Sequence, residues 1–270
     1  MIEPADTCSS CERDIPSFRV LGVRVDAVQI PDIIRVVEQW IQKRGPAQYI
    51  AVTGMHGVSE SREDAKFHEI LETAGLVIPD GMPLVWLGRL QGHDEMKRRT
   101  PGAEVMENFC RQTGSRYRHF FYGGAPGVAD LLAKTEHERY GIQIAGTYCP
   151  PFRPLTPEEE EEVHSIIHKA APDVLWVGLS TPKQEKWMYA HRNSIKVPVM
   201  FGVGAAFDMN TGRLKRAPEW MQNNGLEWFY RLLAEPRRLW RRYIINGSKF
   251  AWAVGVEHLI PRVFKRPVAG

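Results

Sequence analysis

Asp80 stands between an apolar run ending at Pro79 and a glycine at position 81, which puts a carboxylate at a strand tip where the backbone leaves room for a substrate. A carboxylate so placed can take the proton of an attacking hydroxyl, a service that contributes on the order of 10² to 10⁴ in rate when the groups are within hydrogen-bond reach. An Asp-Gly turn is the competing reading of the same dipeptide. Thr53 closes another apolar run and could hydrogen-bond a phosphate or leaving group; it fits an ordinary strand-end threonine equally well.

Two glycine-rich junctions invite an anion. Residues 122–127 (YGGAPG) read as strand, turn and helix start, a geometry that turns backbone N–H groups outward around Gly123 and Gly124. The spacing is not G-x-G-x-x-G, and no acidic residue closes the next apolar run at 142–147, which argues against a dinucleotide site. The Gly202-Val203-Gly204 junction lacks its third glycine, Phe207 standing there, while Asp208 suits either a ribose or base contact or a helix cap.

The tail run EPRRLWRR (235–242) is more pointed. As a helix it stacks Arg237 over Arg241 and Arg238 over Arg242, like-charge pairs that each cost a few tenths of a kcal/mol unless an anion lies between them. Glu227 and Glu235 cannot neutralise these four together with Arg213, Lys215, Arg216 and Arg231, so the pattern calls for an anionic partner, and phosphate suits a planar guanidinium fork.

Metal chemistry finds little support. There is no Asp-x-Asp pair and no His-Glu-x-x-His; Cys8 and Cys11 form an isolated pair in an aperiodic leader, and His164 and His168 sit on a Glu-rich helix as expected surface residues. No metal and no cofactor is expected.

The elements that must position these groups follow from patterning. The chain has 270 residues with 43% apolar content, enough for one large or two small cores, and its 35 basic and 32 acidic residues give a net charge of +3. That small value hides an asymmetry: residues 1–212 hold 23 Lys+Arg against 28 Asp+Glu, a net −5, whereas residues 213–270 hold 12 against 4, a net +8, with four of the eight tryptophans. Such a tail is suited to anions. Short β-rich runs at 19–25, 49–53, 76–79, 119–122, 142–147, 174–178 and 197–203 alternate with helical patterns at 31–43, 59–73, 104–112, 126–139, 157–169 and 182–191. This alternation predicts an α/β fold with a Rossmann-like, mainly parallel sheet flanked by helices, followed by a basic helical appendage. Residues 1–17 read as a loose leader, 18–212 as the α/β domain and 213–270 as the appendage. No apolar window reaches the roughly 18 to 20 residues of a spanning helix, no signal peptide opens the chain, and four cysteines fit a reducing compartment, so a cytoplasmic location is expected.

An ordered series of motifs resembles the WecG/TagA/CpsF family of bacterial glycosyltransferases over about residues 20–250. It comprises Thr53, PDG (79–81), Gly123-Gly124, PKQEKW (182–187), GVGAAFD (202–208), RAPEW (216–220) and GLEWFYRLLAEPRR (225–238). The resemblance implies a metal-independent, inverting transferase at the inner face of the membrane, moving a sugar from a UDP-sugar to a polyprenyl-diphosphate-linked sugar in cell-surface polysaccharide synthesis. By that resemblance Asp80 is the general base, Thr53 lies beside the leaving phosphate and Gln184 contacts the reaction pocket. The segment from Gly202 to Asp208, with Gly204, belongs to the nucleotide site, and the appendage both holds an anionic membrane surface and supplies Arg231, Arg238 and Arg241 or Arg242 to the donor diphosphate. The family commonly has asparagine two residues after the threonine, where this chain has Met55 followed by His56. Other readings are a nucleotide-dependent oxidoreductase, prompted by the glycine-rich turns, and a nucleic-acid-binding protein using the basic tail. The acidic body argues against the latter, and no nucleic acid partner is expected.

Overall fold

Period-two alternation of large apolar residues in the central segments buries both faces of one sheet, the pattern expected of parallel strands covered by helices on each side. The computed structural model describes residues 15–259. Its strands are β1 (Ser17–Val20), β2 (Val23–Asp26), β3 (Gln48–Thr53), β4 (Leu76–Pro79), β5 (Arg118–Gly123), β6 (Gln143–Tyr148), β7 (Val174–Gly178) and β8 (Val199–Gly202). The last six form one parallel sheet in the order β4-β3-β8-β7-β5-β6. Tyr49, Ala51, Phe120, Tyr122, Leu175, Val177 and Met200 enter one core, and Ile50, Val52, Phe121, Val174, Trp176, Val199 and Phe201 enter the other. Each such side chain contributes on the order of 1.5–3 kcal/mol of burial.

Helices α1 (Ile30–Lys43), α5 (Gly102–Thr113), α6 (Val128–Tyr140) and α9 (Ala206–Asn210) cover the second face. The first is covered by α2 (Met55–Glu63), α3 (Ala65–Glu72), α4 (Met82–Leu90), α7 (Pro157–Ala170) and α8 (Lys183–His191), together with the β1–β2 hairpin. The connections leaving β3 and β8 therefore depart to opposite faces, through α2 and α9. Neighbouring parallel strands that part in this way open a crevice at their carboxyl ends.

The expected α/β fold is present, with local departures that have physical causes. The run at 19–25 is a hairpin, because Leu21 and Gly22 both take positive φ (51° and 87°) and close a tight turn. Asp26 of that hairpin is buried and accepts the N–H of Val77 at 2.7 Å, satisfying a donor on edge strand β4. The pattern at 59–73 is two helices rather than one. Asp64 interrupts it in extended conformation, and its carboxylate caps α3 by accepting the N–H of Phe67. Helix α4 had no amphipathic signature, being apolar on most sides. His164 is half-buried, its Nε2 2.8 Å from Nδ1 of His191, and desolvation lowers the pKa of both; His168 is exposed as expected.

After β8 every described element is helical: α9, then α10 (Glu219–Asn223), α11 (Glu227–Ala234), α12 (Pro236–Trp240), a π-helical turn (Arg241–Ile245), α13 (Asn246–Val254) and a second π turn (Gly255–Leu259). These helices return to the body. Phe250 and Val254 are buried in the first core, and Lys249–Glu63 and Arg62–Glu257 ion pairs flank them. Among the described residues no helix is long and apolar enough to cross a membrane. Cys8 and Cys11 lie outside the described residues.

Candidate active site

A cleft of about 350 Å³ opens in the crevice at the carboxyl ends of β3, β4 and β8. Its floor is made by strand-end residues, among them Gly54, Asp80 and the segment from Gly202 to Ala206. Its roof comes from the C-terminal helices through Glu227, Trp228, Arg231, Leu239 and Tyr243.

Asp80 leaves β4 with its N–H bonded to the carbonyl of Thr53 at 2.9 Å, so the last peptide of the ladder fixes its backbone while its carboxylate faces the cleft, 44% exposed. Gln184, on the first turn of α8, is buried against the cleft wall; its Nε2 donates to Glu185 Oε1 at 3.1 Å, and its Oε1 has no hydrogen-bond partner among the described residues. Gly202 makes that approach possible, since a Cβ there would stand 2.7 Å from Met188 Cε and 3.1 Å from Gln184 Nε2. Gly204, at φ +54°, lines the same wall. Arg231 enters from α11; its guanidinium lies 3.8 Å from Glu235, and its Nε is buried without a partner among the described residues.

Asp80, Gln184, Gly204 and Arg231 thus share one cleft. Thr53, Gly123, Gly124, Asp208 and Arg241 do not line it. Thr53 is 1% exposed, one layer behind, where a Cβ on Gly57 would touch its Cγ2 at 3.1 Å; its hydroxyl has no partner among the described residues. Gly123 and Gly124 lie against β7 and α6. A Cβ on Gly123 would strike the carbonyl oxygen of Gly178 at 2.6 Å, and the N–H of Gly124 is bonded to that same oxygen. Asp208 points away and pairs with Arg213 at 3.3 Å. Arg241 is exposed beside the Trp240 ring, 5.4 Å from its centroid. The side chains of Arg238 and Arg242 lie outside the described residues.

The residue that sequence reasoning missed is Arg99. Only 13% exposed, its guanidinium reaches Glu227 Oε2 at 2.5 Å, Gln222 Oε1 at 2.8 Å and Asp80 Oδ1 at 3.8 Å. It therefore joins the strand-end carboxylate to two helices of the tail. Burial raises the Glu227 pKa, Arg99 opposes that rise and the nearby Asp80 charge adds to it. The loop bearing Arg99 is pinned on both sides: Met96 is buried, and Thr100 donates through N and Oγ1 to the carbonyl of Pro79. The available signal was a basic run (KRR, 97–99) set just before a Pro-Gly helix start. His56 also lines the cleft, and its Nδ1 lies 3.4 Å from the side-chain amide of Asn246 on α13.

A carboxylate and cationic side chains converge on one crevice roofed by the C-terminal helices. The family model for the glycosyl transferase WecG/TagA/CpsF family matches residues 18–263. The chain belongs to that family. It is a hexosyltransferase by membership. It is 30% identical over 204 residues to the N-acetylglucosaminyldiphosphoundecaprenol N-acetyl-beta-D-mannosaminyltransferase of Bacillus subtilis strain 168, covering 75% of this chain and 77% of that relative. It is 30% identical over 197 residues to the protein of the same name from Bacillus spizizenii strain W23, with 72% and 74% covered.

Proposed function

We propose that the enzyme transfers a sugar from a UDP-sugar to a polyprenyl-diphosphate-linked amino sugar in the synthesis of a cell-surface polysaccharide, with inversion and without a metal ion. The observation that carries this reading is the convergence of Asp80 with Arg99 and Arg231 on a cleft at the carboxyl ends of β3, β4 and β8. The names of the two Bacillus relatives supply the acceptor class.

In the proposed step Asp80 takes the proton from an acceptor hydroxyl as its oxygen attacks the donor anomeric carbon from the face opposite UDP. The new C–O bond forms as the bond to the β-phosphate oxygen breaks, and the electron pair leaves with UDP. The departing diphosphate gains negative charge that fixed cations can meet without reorganising. Arg231 is the cation on the roof of the cleft, with Arg238, Arg241 and Arg242 following on the next helical segment. Gln184 offers a buried amide oxygen able to accept a sugar hydroxyl, and Gly204 leaves room for the nucleotide.

We further propose that residues 213–270 act as an appendage which both roofs the cleft and rests on the inner leaflet. Trp220, Phe229, Leu233, Trp240, Ile244 and Trp252 are exposed on these helices, within the segment of net charge +8. Each basic residue near an anionic surface adds about 1 kcal/mol of attraction, and tryptophan settles at headgroup depth.

The test is UDP release by the purified enzyme from a panel of UDP-sugars with a polyprenyl-diphosphate-linked N-acetylglucosamine acceptor, with and without EDTA. Turnover that survives EDTA and fails with Asp80→Asn is the expected result. Activity that depends wholly on added magnesium or manganese, or no release with any donor, overturns it.

A further inference from the structure

A second cavity of about 350 Å³ lies across a wall formed by Met82, Arg99 and Gln222, which line both spaces. The rest of its lining is Lys97, Arg98 and Glu104. Glu104 leans toward Arg99 at 3.9 Å, and Arg99 is also held by Glu227, so Lys97 and Arg98 are the basic residues of the lining beyond that cluster. The cations ride on a rigid pedestal. The side-chain amide of Gln29 brackets the backbone of Arg98, donating to its carbonyl at 2.9 Å and accepting its N–H at 3.3 Å. Pinning by Met96 and Thr100, described above, completes the support. Lys97 is exposed and has no ion-pair partner among the described residues.

Met82 of its lining also heads an exposed apolar helix face. Met82 begins α4, and Trp86 and Leu90 follow it at four-residue spacing on the same helix face, 48% and 55% exposed. Gly225 of the tail packs against Met82 and Trp86, so this face runs along the seam between body and appendage.

Transfer onto a prenyl-diphosphate-linked sugar, the reading on which this inference rests, brings two diphosphates to one enzyme. Two such anions repel, which favours a separate set of cations for each. The cleft beside Asp80 holds Arg231 for the departing one. We propose that the second cavity binds the diphosphate of the acceptor, with Lys97 and Arg98 as its cationic contacts and Trp86 and Leu90 carrying the start of the prenyl chain. The acceptor sugar then spans the Arg99 wall. Its diphosphate sits on the Lys97 side and its nucleophilic hydroxyl at Asp80, so the length of a single sugar residue sets which hydroxyl reaches the base.

Lys97→Ala/Arg98→Ala tests this, because both side chains are exposed and their loss leaves the buried supports of the loop in place. The expected result is an acceptor KM raised about tenfold or more, in line with charge-assisted bonds of about 1.5–3 kcal/mol, with donor KM changed less than about twofold. Independently of turnover, calorimetry with farnesyl diphosphate in saturating UDP should show a binding event in the wild type that the double variant loses. Farnesyl diphosphate binding without transferase activity in the wild type would uphold the site while defeating the functional reading. The inference is overturned if the wild type binds no farnesyl diphosphate once UDP is bound, or if donor and acceptor KM rise together. It is likewise overturned if the variant loses only affinity for anionic phosphatidylglycerol vesicles and keeps farnesyl diphosphate binding.

Discussion

The sheet and the tail use the same residue types for opposite ends. Trp176 on β7 is wholly buried, stacked on Phe201 at 4.4 Å between ring centroids, whereas Trp220, Trp240 and Trp252 of the tail are 61%, 43% and 77% exposed. Arginines divide likewise: Arg99 in the body is nearly buried and tied to two helices, while Arg241 stands in solvent. In the body, packing fixes polar groups at strand ends; in the tail, amphipathic helices keep apolar surface outside. A group that does chemistry needs the first kind of support, and a group that meets a leaflet needs the second. The two regions are nonetheless joined through Phe250, Val254 and the Arg99–Glu227 pair. Truncation after Gly212 would strip core contacts along with cations, and point substitutions probe the contrast more cleanly.

The largest effect is expected at Asp80. Asp80→Asn should leave the circular dichroism spectrum and melting temperature unchanged and lower kcat by about 10²- to 10⁴-fold, the usual contribution of a positioned base. A near-normal rate would remove it from that role. Arg99→Ala should follow, lowering kcat/KM by about 10²- to 10³-fold, because it takes a fixed cation from the cleft and leaves Glu227 buried without its counter-charge. Glu227→Gln should partly restore Arg99→Ala if the unpaired carboxylate is part of the damage. A double variant no better than the single would separate the catalytic loss from docking of the tail.

How far the sequence reveals this contrast depends on the kind of signal. Strands buried on both faces announce themselves as apolar runs, so the central segments of the sheet are readable, while edge strand β6 is only half-buried; Asp80 is visible because a strand tip followed by glycine is a local pattern. Leu21 hides the hairpin turn, since only its glycine neighbour carries the usual mark of positive φ. Arg99 is invisible for a different reason. Its meaning comes from partners at 80, 222 and 227, brought together only by the fold. The glycines at 123 and 124 are a local pattern that fits an anion loop, and packing also bears on both: β7 approaches Gly123 at Gly178, and Phe207 and Val128 crowd Gly124.

Stability of the body should also carry a pH signature. Glu136 on α6 is fully buried, and desolvation raises its pKa to about 7. The native state holds this proton where the unfolded chain has released it. The group therefore costs nothing below about pH 4, costs progressively more as pH rises through 7, and reaches about 3 kcal/mol above that. Glu136→Gln, which keeps the shape and removes the ionisation, should raise the melting temperature at pH 8 and change it little at pH 4.5. Equal shifts at both values would mean that the gain comes from packing rather than charge.

The smallest effects belong to the exposed tail, and they should appear in a different measurement. Trp240→Ala and Trp252→Ala remove aromatic surface that touches solvent, so neither should alter the melting temperature by more than about 1 °C, as substitutions away from core features stay within about 0.5 kcal/mol. Affinity for vesicles containing phosphatidylglycerol should fall several-fold for each, about 1 kcal/mol of interfacial burial apiece, and the loss should persist in high salt, where the contribution of the basic residues is screened. Turnover with a short-chain acceptor in solution should be unaffected, whereas turnover on acceptor embedded in vesicles should fall with vesicle affinity. If the two tryptophan variants instead lose activity on the soluble acceptor, the division between a body that does the chemistry and a tail surface that finds the membrane fails, and these side chains belong with Arg231 in the roof of the cleft.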